Sequence, residues 1–432
     1  MTVRQASTLD GRGSAVPQEL YDSLLAEVTA WVEGPGEAWA ERIEASGTVE
    51  PGLRAELKSK GFLGLAAPVE LGGRGLSFTQ WMGLMEVFSR SHASIRMIVH
   101  VVNGTWRSMN PHASATQREK FIVPSVAGDI TVAFTLTEPD NGTGADISCS
   151  VRRDGDFYYL TGTKHLITFG VNCDYWLLFA RLAGSSGSEG TVALLVDRDA
   201  AGATVQDTSN TMGVRGTDHA RLTFRDTPVP VSQRLGAEGD GLTIALGGFL
   251  TPSRISVAMS CVGLAERAQQ LAVSYAQHRV TFGKPISQRQ AIAFLLAENA
   301  ADIEAARALV MHAAAQWEAG SARAPALSSM AKLTAVDMLT RVTDKALQVH
   351  GGLGYWKSQP IERVYRDARA QRFEEGTNEI QKAVIAKDLL SRAGHGTDPA
   401  APDPAPANAA APDPASANAG RAADSGLTGA AL

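Results

Sequence analysis

The sequence predicts an α+β chain, mainly α, in three parts: an N-terminal helical domain (18–129), a central β-domain of sandwich or barrel type (130–240) and a C-terminal four-helix bundle (241–393). Three observations predict it. Apolar residues recur at helical spacing before residue 130. Short β-branched and aromatic runs, divided by Gly, Asp, Ser and Pro, take over up to about Leu235, and long Ala/Leu/Glu-rich stretches follow Gly241. The size agrees, because 432 residues exceed one ordinary domain and an apolar content of 44% fills more than one core.

Residues 1–17 read as a flexible lead with no apolar signal core. Tyr21, Leu24, Leu25 and Val28, and later Trp81, Met85 and Phe88, mark helices. Between them, Gly72-Gly73-Arg74-Gly75 lacks the Lys-Ser/Thr ending of a phosphate loop and follows no strand, so it reads as a connection between helices. Strands are expected at 157–160, 175–181, 191–196 and 221–224. They do not alternate with crossover helices, which argues against a Rossmann-type nucleotide fold. Ile255, Met259 and Val262 then form one apolar stripe, the stretches 291–314 and 327–349 suit long antiparallel helices, and Gly351-Gly352 ends the second. Residues 394–432 are a degenerate Ala/Pro/Asp/Asn repeat with little to bury, and are expected to be disordered and dispensable.

A net charge of −5 and a pI near 6.0 offer no basic field for nucleic acid, and no apolar run is expected to reach the length that spans a bilayer. Cys149, Cys173 and Cys261 are far apart and read as small core residues, with no metal site and a reducing cytoplasm expected. Partners should therefore be small molecules or proteins.

Near the C-terminus, Glu374-Glu375-Gly376-Thr377 places a carboxylate, a glycine and a hydroxyl in succession after a helix-like stretch. A Glu before Gly can sit at a bend with its side chain aimed into a cavity, where it can act as a general base; the glycine lets backbone approach a flat ligand, and the Thr can cap the next helix. Other motifs occur in a definite order. They are Phe134-Thr135-Leu136-Thr137-Glu138-Pro139, Gly162-Thr163-Lys164-His165-Leu166-Ile167-Thr168, Gly213-Val214-Arg215-Gly216-Thr217, Arg279-Val280-Thr281-Phe282-Gly283 with Gln290, and Gln348-Val349-His350-Gly351-Gly352.

Together these motifs resemble the acyl-CoA dehydrogenase family of flavoproteins over nearly all of the chain to about residue 392. The resemblance implies FAD as cofactor and α,β-dehydrogenation of an acyl thioester, on coenzyme A or on an acyl carrier protein as in relatives that serve secondary metabolism. Glu375 is the implied base. Phe134, Leu136, Thr137, Leu166 and Thr168 match positions around the flavin ring, with Thr168 near N5, and Gly142 and Thr143 match positions near its pyrophosphate. Arg279, Thr281, Phe282 and Gln290, with Gln348, Gly351 and Gly352, match positions that reach a flavin held mainly by a neighbouring subunit, which implies a homo-oligomer, dimer or tetramer. Thr377 and Glu379 complete the cofactor set, Arg254, Glu374 and Gly376 the substrate set, and electron-transfer flavoprotein is the family's usual acceptor. Some members carry the base near Arg254 instead; here Thr251 and Ser253 stand there, and neither is a carboxylate.

Leu166 stands where Trp is usual, Phe169 where Asn is common, and Glu374 where an aromatic residue precedes the base. Glu374 is expected either as a solvated surface acid or as a cavity carboxylate that raises the pKa of Glu375 and favours a polar acyl group. The competing functions are a flavin monooxygenase or oxidase on the same fold, and a non-catalytic thioester-binding relative.

Overall fold

The computed structural model describes residues 15–141 and 146–392. The expected disorder of 394–432, the flexible lead up to residue 14 and the pair Gly142-Thr143 lie outside the described residues.

The N-terminal part is helical: Gln18–Glu33, Pro35–Ser46, Pro51–Ser59, Phe78–Phe88 and Ala93–Met109. Phe78–Phe88 starts where it does because Ser77 and Gln80 form a reciprocal capping box, and it buries Phe78, Trp81, Met85 and Phe88. The glycine-rich connection is tight. A Cβ on Gly73 would lie 2.1 Å from the Ala67 carbonyl oxygen, so only glycine fits there. The Ala93–Met109 helix is buried on nearly every side, and its buried residues include Arg96 and His100. Lining a helix with buried ionisable groups is costly unless they are paired, which marks this helix as more than a packing element.

The central part is a mixed sheet of eight strands: β1 (Val132–Thr135), β2 (Ser150–Asp154), β3 (Phe157–Thr168), β4 (Tyr175–Leu182), β5 (Thr191–Asp197), β6 (Ala203–Asp207), β7 (His219–Pro230) and β8 (Arg234–Leu235). The path runs β6-β7-β3-β2-β4-β5-β8, and β1 shares with β2 the same edge of β4. Trp176 on β4 meets Phe224 on β7 edge-on at 5.6 Å, which brings the two halves of the path together over an apolar interior. The sequence reading missed β1, β2, β6 and β8 and cut β3 and β7 short. β2 and β6 carry polar residues on exposed faces, for example Arg152, Arg153 and Asp154, while β1 is buried but only 4 residues long and β8 only 2, so their apolar runs are too short to read.

The C-terminal part begins with a π-helical turn, Ile244–Leu250, that runs straight into Thr251–His278. Gln290–Glu318 and Ala324–His350 pack along it, and Pro360–Ala370 and Asn378–Arg392 follow. Gly263 lets this central helix approach Phe78–Phe88 closely, since a Cβ there would lie 2.1 Å from the Glu86 carbonyl oxygen. One expectation needs correction. The helical stretch Gly241–His278 is long and apolar enough to cross a membrane by length and composition, but 78% of its most apolar window is buried inside the fold. It is apolar because it is the core helix, surrounded on several sides by other elements.

Candidate active site

Glu375 lies at the corner between Pro360–Ala370 and Asn378–Arg392. Its φ is 53° and that of Gly376 is 95°, two successive residues in the left-handed region. Glycine adopts that conformation freely, but a glutamate there is strained and persists only where its surroundings hold it. They do so here. Arg254 Nε and Gln381 Nε2 both donate to the Glu375 carbonyl oxygen, each at 3.1 Å. The next carbonyl, of Gly376, accepts from Lys332 Nζ at 2.6 Å and Gln381 Nε2 at 3.0 Å. Three helices thus clamp one turn of backbone.

The clamp aims the Glu375 side chain at Ser253, whose Oγ donates to Oε1 at 2.8 Å. Ser253 is in turn 3.0 Å from His100 Nε2. Burial pushes the Glu375 carboxyl up, the Ser253 hydroxyl opposes this, Glu374 adds to it, and Arg254 and Lys332 oppose it, leaving the group at about 7. A carboxylate poised near neutrality is a competent general base.

Glu374 does not take the surface position that the sequence allowed. Its two carboxylate oxygens accept from Arg96 Nη1 and Nη2, both at 2.8 Å. Burial works to raise its pKa, but the Arg96 charge and hydrogen bonds outweigh that and hold it below the usual range. The residue is a paired wall group beside Glu375, and its charge raises the pKa of that carboxyl.

A second group of predicted residues gathers at the end of β3. Buried Lys164 Nζ donates to the Leu136 carbonyl at 2.8 Å and to Glu138 Oε1 at 2.9 Å, and His165 N donates to the Thr137 carbonyl at 3.0 Å. Glu138 also accepts from Ser148 N, Ser148 Oγ and Cys149 N, which closes the intervening loop. Burial would raise the Glu138 carboxyl, yet Lys164 and these donors bring it down to about 2. The two motifs are therefore one clamped unit. Between Lys164 and Ile167 the pairing of β3 with β7 shifts register, and Leu166 there has φ 55° and is 60% exposed. Thr137 and Thr168 stay half-buried nearby, while Leu136 is buried. Hydroxyls beside an exposed apolar side chain suit a flat ligand with a polar edge, so these residues fit a flavin ring. Phe134 faces inward instead, stacked on Phe249 at 4.1 Å.

The remaining predicted cofactor residues occupy another exposed corner. Val280–Thr281 and Lys284–Pro285 form a hairpin whose turn, Phe282-Gly283, has positive φ at both positions. Arg289 braces it by donating to the Thr281 carbonyl at 2.6 Å and hydroxyl at 3.0 Å. Tyr275 stacks on His350 at 4.5 Å and so brings the base of this hairpin beside Gln348, Gly351 and Gly352. Arg279, Gln290, Gln348, Gly351 and Gly352 are all exposed. Thr377 precedes Asn378–Arg392, and Glu379 in the first turn is held below its usual pKa by its own backbone N–H and the Thr377 hydroxyl.

Arg96, His100, Lys332 and Gln381 escaped the sequence reading, and Ser253 entered it only as a residue unable to act as base. Arg96 and His100 fall one helical turn apart within an apolar helix, a spacing that was a readable signal.

The chain matches the acyl-CoA dehydrogenase N-terminal domain over residues 18–129, the middle domain over 133–227 and the C-terminal domain over 239–390. It is 37% identical over 345 residues to an acyl-CoA dehydrogenase of Bacillus subtilis, covering 78% of this chain and 89% of that one. It is 33% identical over 354 residues to the caffeyl-CoA reductase–Etf complex subunit CarC of Acetobacterium woodii, covering 82% and 93%. The structure of butyryl-CoA dehydrogenase from Megasphaera elsdenii superposes with a TM-score of 0.82 at 32% identity, covering 87% of this chain and 100% of that one. The clamped Glu-Gly corner and the helical, sheet and helical parts thus sit in a frame shared along almost the whole described length: the chain belongs to the acyl-CoA dehydrogenase family, oxidoreductases acting on CH–CH bonds.

Proposed function

We propose that this protein catalyses FAD-dependent α,β-dehydrogenation of an acyl thioester, with Glu375 removing the α-proton. The observation that carries the reading is the placement of Glu375: a glutamate in the left-handed region, clamped through its backbone, with its carboxyl brought to about 7. The flavin, when bound, supplies the acceptor for the β-hydride. Thr137, Leu166 and Thr168 would hold its ring, and Arg279, Gln348 and Gly351 would reach a flavin of an adjacent subunit.

This chain's own residues do the rest. Glu375 in its ionised form takes the proton, and the hydroxyl of Ser253 holds Oε1 in place while it does so. The rigid corner keeps the carboxylate in one orientation, so little reorganisation accompanies proton removal. The wall formed by Glu374 and Arg96 keeps a net-neutral but polar surface beside the base. Exposed Phe282, Leu353, Tyr355 and Trp356 near the hairpin corner support a homo-oligomer, because so much apolar surface rarely faces water alone. The CarC name, which places that relative in an Etf complex, supports an electron-transfer flavoprotein as acceptor. Relatives named for coenzyme A favour that carrier, and three buried free thiols favour a reducing, cytoplasmic setting.

The test is anaerobic bleaching of the oxidised flavin by a panel of acyl groups, each on coenzyme A and on a carrier protein. One thioester should bleach the wild-type protein. Glu375→Gln should keep its flavin but lose on the order of 10²–10⁴ in reduction rate. Near-normal reduction by that variant sinks the assignment of the base. Bleaching by no thioester, with flavin bound, favours the oxidase or monooxygenase reading.

A further inference from the structure

We propose that His100 is a positioning residue for the base: through Ser253 it fixes the ionised carboxylate of Glu375 in its working orientation. The inference rests on the reading of Glu375 as the base and extends it to a three-residue chain that joins the N-terminal helical part to the C-terminal corner.

The protons available fix the direction of each hydrogen bond. Ser253 has a single hydroxyl proton, and an ionised Glu375 only accepts. The 2.8 Å contact therefore uses that proton, and Ser253 Oγ must act as acceptor in its 3.0 Å contact with His100 Nε2. His100 is then the neutral tautomer with its proton on Nε2, as the network assigns it. Its other nitrogen must be bare. Nδ1 is buried and has no hydrogen-bond partner among the described residues, as the bare nitrogen of that tautomer would be. The chain runs in one direction, from His100 through Ser253 to Glu375. The Ser253 hydroxyl, donating to Oε1, stabilises the charged carboxylate more than the neutral acid, so the chain favours the ionised form.

The charged surroundings leave this polarity intact. His100 faces Arg96 and Arg107 on its own helix and Glu374 across from it. Burial, with Arg96 adding to it, pushes the imidazole down to about 3, so His100 stays neutral through the range in which Glu375 titrates. Glu375 faces Glu374, Arg254 and Lys332. The neighbouring Cys261 thiol is pushed up to about 12 by burial and stays protonated. A change in the pH dependence on altering His100 is therefore a change at Glu375.

The experiment compares holoenzymes of wild type, Ser253→Ala, His100→Phe, His100→Gln and the Ser253→Ala/His100→Phe double variant. Two readouts are taken: the pH dependence of thioester-driven flavin reduction, and the pH titration of the Glu375 carboxyl band, identified by infrared difference against Glu375→Gln. His100→Phe should raise the midpoint by about half a pH unit to one, and Ser253→Ala by at least as much. His100→Gln, whose amide N–H can stand in for Nε2–H, should return the midpoint toward wild type. In the Ser253→Ala background the His100 substitution should add nothing, because its link to the base is gone.

An unchanged midpoint in His100→Phe overturns the proposal, and so does an equal shift with and without Ser253. If His100→Phe does not fold, His100→Asn replaces it, since its amide is one bond too short to reach and should shift the midpoint like Phe. If no thioester reduces the flavin at any pH, the dehydrogenase reading fails, while the infrared titration still decides the role of His100.

Discussion

Arg96 and Glu374 stand 278 residues apart in sequence and meet through two parallel hydrogen bonds of 2.8 Å. The guanidinium is 1% exposed and the carboxylate 16%, so the pair is largely removed from water. It fastens the buried Ala93–Met109 helix to the residue that precedes Glu375.

Removing one partner should therefore cost more than removing both. Arg96→Met strands the Glu374 carboxylate and is expected to destabilise by about 3–5 kcal/mol, while Arg96→Met/Glu374→Met should recover most of that loss. Urea unfolding of the two variants checks the ordering, and an equal or lower midpoint for the double variant contradicts it.

Glu375 supplies a stability test of its own. Its folded pKa, about 7, lies above the ordinary 4.5 of a glutamate carboxyl, so the folded protein holds this proton more tightly than the unfolded chain. The proton's contribution is present below the unfolded pKa and is lost as pH rises through the folded value. At pH 8 the ionised group thus costs on the order of 2–3 kcal/mol, a figure already reduced for partial solvent contact. Glu375→Gln should stabilise the protein at pH 8 and not at pH 4.5, read as a pH-dependent difference in unfolding midpoint.

Lys164 and Glu138 form a second buried pair, 0% and 1% exposed. Because it ties the 136–138 segment to β3, Lys164→Met should lower stability by about 3–5 kcal/mol and reduce the flavin retained on purification. A variant that loses stability but keeps full flavin content would show that the clamp serves the fold alone.

The three thiols should be inert. Each is buried, and burial pushes each up to about 12. A thiol reagent is expected to leave the native protein unmodified while titrating all three groups in denaturant.

The helices and the Glu-Gly corner were legible because their signals are local. A period near 3.6 in apolar residues needs only a window of one helix, and a glutamate before glycine needs only two neighbours. The strands were half legible. β2 and β6 present mostly polar faces, so periodicity alone did not separate them from loops. Glu374 was left between two environments, because the partner that decides it lies in another domain.

By itself, the sequence determined the three-part architecture, the family, and which carboxylate stands at the corner. Only the tertiary structure decided what that carboxylate feels. Its pKa is the sum of burial, a hydroxyl from the core helix, an acid one residue away that Arg96 neutralises, and two buried cations, Arg254 and Lys332. Electrostatic energy depends on distance and on exclusion of water, and for residues 96, 253, 332 and 375 neither quantity exists until the chain has folded.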